Sequence, residues 1–174
     1  MFKEFAGYVH DESIEKINTV ESLLKYLADQ NILNGMYRVF SGDDIMKWNQ
    51  IVEDAFPLYR NRIKVFAYDW LGRIFAIKKE TDTVLLFEPG TGEVLDIAVD
   101  IVEFHNVEIA EYNEASLASA FFEDWFEMNN NYVLKKNECA GYKVPLFLGG
   151  EDNENNLEVS DMEVYWGIMA SLLP

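Results

Sequence analysis

The sequence holds one cysteine in 174 residues, Cys139, so it closes no internal disulfide. That excludes a disulfide-stapled secreted scaffold and favours a reducing compartment. Histidine is nearly as scarce: His10 and His105 stand far apart, with no cysteine at zinc spacing, so a structural zinc site has no basis. Long apolar runs are missing, and Met1–Glu15 lacks the apolar stretch of a signal peptide. The expectation is a cytoplasmic protein without a membrane segment. Gly149-Gly150 has neither the strand-to-helix context nor the following Lys of a phosphate loop.

Positive charge is the most telling scarcity. From Glu80 to Leu134, 55 residues pass without one Lys or Arg while carrying thirteen Asp and Glu. Residues 1–78 hold eleven acids against ten bases, and residues 79–174 hold twenty against four. The formal charge of −17 therefore belongs to the second half. Nucleic acid and anionic membranes are repelled by such a field, and a basic protein is drawn to it. The charge is not that of a disordered chain, because 49% of residues are hydrophobic and 25 are aromatic (4 Trp, 9 Tyr, 12 Phe). The acids must coat something folded.

Four short β-type segments, Ile63–Tyr68, Arg73–Lys78, Thr83–Glu88 and Glu93–Ala98, are separated by turn signals and read as an antiparallel meander. Ile63–Tyr68 is apolar on both faces, as a central, doubly covered strand would be. Pro89-Gly90 suits a type II turn. Helical spacing marks Val20, Leu23, Leu24 and Leu27, with Asn18 and Glu21 as a capping box and Asn34-Gly35 as the stop. It marks Ile45, Trp48, Ile51, Val52 and Ala55 behind a cap at Ser41 or Asp43, and a strand is expected over Met36–Phe40. Two acidic helices follow the meander, one capped by Asp100 and one by Asn113, the second burying Leu117, Phe121, Phe122 and Trp125. A last amphipathic helix starts at a Ser160–Glu163 capping box. The fold class expected is α+β: an antiparallel sheet built around the meander at about 63–98, packed with helices from both ends of the chain. It reads as a single domain over residues 1–174.

Few constellations carry chemistry. Asp152–Glu158 followed by Glu163 offers oxygen ligands, but Leu157 sits where a calcium loop turns sharply on Gly. Carboxylates around Glu88, Glu93 and Glu158 define a metal-dependent hydrolase as the competing reading. Cys139 lacks evident His and acid partners and reads as a small core residue. Arg73 suits an ion pair with Asp69 across the hairpin. Glu123, Asp124 and Glu127 crowd the C-terminal end of their helix, where the macrodipole disfavours negative charge, so helix stability does not explain them.

Four segments, DWLGR (Asp69–Arg73), FEPGTGEVL (Phe87–Leu95), YKVPLFLGG (Tyr142–Gly150) and NLEVSDMEVYW (Asn156–Trp166), together resemble bacterial immunity proteins of type VI secretion DNase effectors. That family combines a GAD-like N-terminal region with a C-terminal domain of formerly unknown function. The likeness spans roughly residues 35–173 and includes YRVF (Tyr37–Phe40), KWNQIV, EDAFP and FHN (Phe104–Asn106). It implies a GAD-like subregion over residues 1–62, a C-terminal region over residues 63–174, and a cytoplasmic protein that neutralises a toxic nuclease. It also implies no enzymatic activity. The matched residues are mostly glycines, aromatics and turn formers, which hold a fold.

The expected function is thus a non-enzymatic inhibitor of a basic effector nuclease, without a cofactor, a metal, bound nucleic acid or a membrane. The residues expected at the partner surface are Glu103, Glu108, Glu111, Glu123, Asp124 and Glu127, on the exposed faces of the acidic helices. The alternatives are the carboxylate hydrolase above, or an interaction module of the same fold with no toxin partner.

Overall fold

The computed structural model describes residues 1–173. Its elements run α1 (Lys3–Val9), α2 (Val20–Leu27), β1 (Tyr37–Val39), α3 (Gly42–Ala55), β2 (Ile63–Asp69), β3 (Ile74–Lys78), β4 (Val84–Glu88) and β5 (Glu93–Asp96). Then come α4 (Ile101–Glu103), continuing as a π-helix over Phe104–Ile109, α5 (Asn113–Leu117), α6 (Ser119–Met128), β6 (Glu138–Tyr142), β7 (Leu157–Asp161) and α7 (Met162–Leu172). The protein is α+β, with helices from both ends packed on an antiparallel sheet. Strands β1 to β5 lie in sequence order, every neighbour antiparallel, and β6 pairs β7 in a second, two-stranded sheet.

The period of two along the meander sorts side chains into two cores. On β4, Val84 and Leu86 face one, Leu85 and Phe87 the other; on β3, Phe75 faces the first, Ile74 and Ala76 the second. The first core lies under α1, α2 and the acidic helices, and the second under α3 and α7. A register shift between Val65 and Ala67 gives β2 a bulge, and there the adjacent Phe66 and Ala67 both enter the first core. Phe2 and Phe5 are fully buried in that core, so the N-terminal segment is part of it.

The DWLGR turn is where the C-terminal region seats on the sheet. Asp69 Oδ1 accepts the Leu71 and Arg73 amides, each at 3.0 Å, and Oδ2 accepts Arg73 Nε at 2.6 Å. This is the ion pair expected from the sequence, fully buried on the carboxylate side. Burial pushes the Asp69 carboxyl up and Arg73 opposes that shift; with three donors on its two oxygens, the group is held as a carboxylate. Arg73 also donates to the Ser116 carbonyl at 3.2 Å, Trp70 Nε1 to the Leu117 carbonyl at 2.8 Å, and Trp166 Nε1 to the Gly72 carbonyl at 2.8 Å. The Ala140 amide of β6 donates to the Trp70 carbonyl at 2.7 Å. One five-residue turn therefore holds α5, β6 and α7.

Three glycines, two of them in the family-like segments and Gly141 just before a third, close around one tyrosine. A Cβ would lie 3.3 Å from Tyr165 at Gly72, 2.6 Å at Gly141 and 3.4 Å at Gly90. Gly72 also has φ +74°, and its Cβ would meet the buried Cys139 Sγ at 3.1 Å. Burial pushes the Cys139 thiol up, so it stays protonated.

Several local expectations are corrected. Thr19, not Asn18, caps α2, accepting the Ser22 amide at 3.1 Å, and α2 stops at Leu27. Pro89-Gly90 does not form the type II turn: Gly92 takes the left-handed conformation at φ +74° and its amide donates to the Glu88 carbonyl at 2.9 Å. The helix expected after Asn113 breaks at Ala118, φ 50°, into α5 and α6. Asp161, not Ser160, caps α7, accepting the Val164 amide at 3.0 Å, because β7 runs on to Asp161 and the helix starts only at Met162.

Candidate partner-binding surface

The acidic helices are built around buried aromatics, and the acids are what remains outside. On α6, Phe122 and Trp125 pack against Trp70, while Glu123, Asp124 and Glu127 are exposed. On the α4 segment, Ile101, Phe104, His105 and Ile109 are buried, while Glu103 and Glu111 face water. The six residues expected at the partner surface therefore lie on one contiguous stretch of chain. Glu123 stands close to Tyr8 of α1, whose hydroxyl is pushed up by burial and by that carboxylate.

Hydrogen bonding divides the acids by role. Asp100 accepts the Val102 and Glu103 amides at 2.8 and 3.0 Å and caps α4. Glu114 accepts the Ala120 amide at 2.7 Å and the Ser119 hydroxyl at 3.0 Å, bridging the break between α5 and α6. Glu108 is half-buried and accepts the Ser116 hydroxyl at 3.2 Å. Glu103, Glu111, Glu123, Asp124 and Glu127 have no side-chain hydrogen bond and no ion pair among the described residues. The eight ion pairs fall elsewhere, on Asp29, Asp44, Asp54, Asp69, Glu80, Asp96, Glu138 and Glu163.

His105 sits under this surface, not on it. It is fully buried, its Nδ1–H donates to the Ile101 carbonyl at 2.7 Å, and its Nε2 accepts the Tyr37 hydroxyl at 3.0 Å. Rings of Phe2, Phe5 and Phe104 meet it edge-on. Burial lowers its pKa to about 4, so near neutral pH it is an uncharged bridge between strand β1 and helix α4.

The competing carboxylates are placed otherwise. Glu88 and Glu93 lie directly opposite each other across β4 and β5. Burial raises Glu88; Arg73 opposes the shift, while Asp69, Glu93 and Asp152 add to it. Glu158 is exposed on β7. Among the described residues, no three His, Cys, Asp or Glu side chains gather as a metal site. No described helix is long and apolar enough to cross a membrane.

The fold is shared with a known structure. The crystal structure of Atu4351 from Agrobacterium tumefaciens matches 98% of this chain and 80% of that one, with a TM-score of 0.62 at 15% identity. No curated protein matches the sequence. The class defined by that fold is an α+β protein. Residues 106–173 match the family model described as "T6SS immunity protein Tdi1, C-terminal", so the C-terminal part of this chain is similar to that type VI secretion immunity protein family. The matched stretch holds most of the acids singled out above, and α7.

Proposed function

We propose that this protein acts in the cytoplasm, binding a cognate nuclease toxin stoichiometrically and neutralising it through the carboxylates of α4 to α6. The supporting observation is the set of eight acids from Asp100 to Glu127, none ion-paired, in a stretch with no Lys or Arg between Lys79 and Lys135. A nuclease needs a cationic track for the phosphates of its substrate. Carboxylates at Glu103, Glu111, Glu123, Asp124 and Glu127 compete for that track and require neither cofactor nor metal. Glu108, tied to Ser116, adds to the field more than to contact.

The test is to capture the partner from the native cell and express it alone and together with this protein. The expected partner is basic, degrades DNA, and is toxic unless the two are made together. Raising salt should slow association steeply, and changing the five free acids to Gln or Asn should slow it about tenfold at low salt. An acidic partner, or equal association rates at low and high salt, would refute the electrostatic account. A partner harmless on its own would point to an interaction module of the same fold.

A further inference from the structure

Helix α7 is apolar around more of its circumference than its packing uses. It carries one charged side chain, Glu163, in 11 residues, and buries Met162, Tyr165, Trp166 and Met169 against the second core. On the outer side, Val164, Ile168 and Leu172 recur every four residues and expose 59%, 51% and 43% of their surface. A surface helix ordinarily presents polar or charged residues there. Apolar side chains in register on an exposed helix face mark a contact site. The stripe continues into a cleft of about 330 Å³, whose wall includes Tyr142, Pro145, Glu158 and Asp161.

The charges at this cleft select among occupants. Glu158 and Asp161 have no ion pair among the described residues, and Lys143, the one base there, donates its ammonium to the Asn155 carbonyl at 2.8 Å. A second copy of the chain would bring −17 against −17. A basic partner meets no such opposition.

We propose that the α7 stripe and its cleft dock a cationic amphipathic segment of the partner protein. Its apolar side chains seat on Val164, Ile168 and Leu172, and its Lys or Arg groups reach Glu158 and Asp161. The inference rests on the reading that the partner is basic, and it divides the labour. The acids of α4 to α6 speed the encounter, and the apolar stripe sets how long the complex lasts.

The probe is a fluorescent synthetic helix of Leu and Lys, titrated against the whole protein by anisotropy, beside a control peptide with every Leu changed to Ser. The Leu/Lys peptide should bind and the control should bind at least about tenfold more weakly. Ile168→Ser with Leu172→Ser should cost about tenfold in affinity, mainly through dissociation; neutralising the five acids of α4 to α6 should act mainly on association. Because both substituted positions are exposed, an unchanged urea midpoint confirms folding. No binding, equal binding of the two peptides, or binding that survives the α7 substitutions overturns the proposal. So does a dimer, seen by sedimentation, that those substitutions dissolve. Protection of cells from the captured toxin is scored separately, so loss of the docking site and loss of the immunity role are distinguishable.

Discussion

His105→Gln should flatten the acid sensitivity of this protein. In the unfolded chain an imidazole takes up its proton near pH 6.5, whereas in the folded protein burial delays that step to about pH 4. Between these values the unfolded state binds more protons, so stability is complete above about pH 6.5 and falls as pH drops towards 4. That difference corresponds to roughly 3 kcal/mol, a large share of a typical domain's stability. The assay is urea unfolding of wild type and His105→Gln between pH 7.5 and 4. The variant loses the bond from the Tyr37 hydroxyl or the one to Ile101, so it should start about 1 kcal/mol less stable at pH 7.5. Its disadvantage should shrink, then reverse, as pH falls. Carboxylate titration is common to both chains and cancels in the difference. Parallel pH profiles for the two proteins would refute the argument, as would an imidazole NMR titration of His105 near pH 6.5.

Three further outcomes follow from the same geometry. Asp69→Asn leaves the Arg73 guanidinium buried without its carboxylate and should cost about 3–5 kcal/mol in urea unfolding, with Arg73→Met in the same chain recovering part of it. Gly141→Ala sets a methyl 2.6 Å from the Tyr165 ring and should cost about 1–3 kcal/mol, relieved by Tyr165→Leu in the double variant. A double variant no more stable than the single one would place the strain elsewhere. Changing Glu123, Asp124 and Glu127 to Gln or Asn should leave thermal stability unchanged or slightly raised, since Glu127 opposes the α6 dipole and none of the three has a side-chain partner among the described residues. A clear fall in melting temperature would mean they serve the fold.

The meander was legible because β3 and β4 keep period two, because the turns between strands are short, and because two covered faces demand apolar side chains on both sides. Asp69 and Arg73 were legible because a hairpin places them within reach. What the sequence concealed lies where tertiary contacts override local preference. Leu117 to Trp125 has helical periodicity throughout, yet the Leu117 carbonyl is taken by the Trp70 indole and the chain turns at Ala118. β6 and β7 are separated by a 14-residue connection, and each is short enough to pass as loop and cap. At the candidate surface, helical spacing located the acids, but only side-chain hydrogen bonding separates Glu108, Asp100 and Glu114, which hold the fold, from the five that hold nothing. The outer face of α7 was not legible: Leu172 reads as part of the buried helical repeat of Met162, Tyr165, Trp166 and Met169, yet it stands outside with Val164 and Ile168.

The lone thiol, wedged behind Gly72, gives this molecule a built-in clock. An alkylating reagent gains access to the buried Cys139 only when β6 parts from the hairpin turn or from α7, so labelling speed counts openings at this junction in unaltered protein. A bound toxin that clamps the same junction should slow the clock, and one that grips elsewhere should leave it ticking at its free rate.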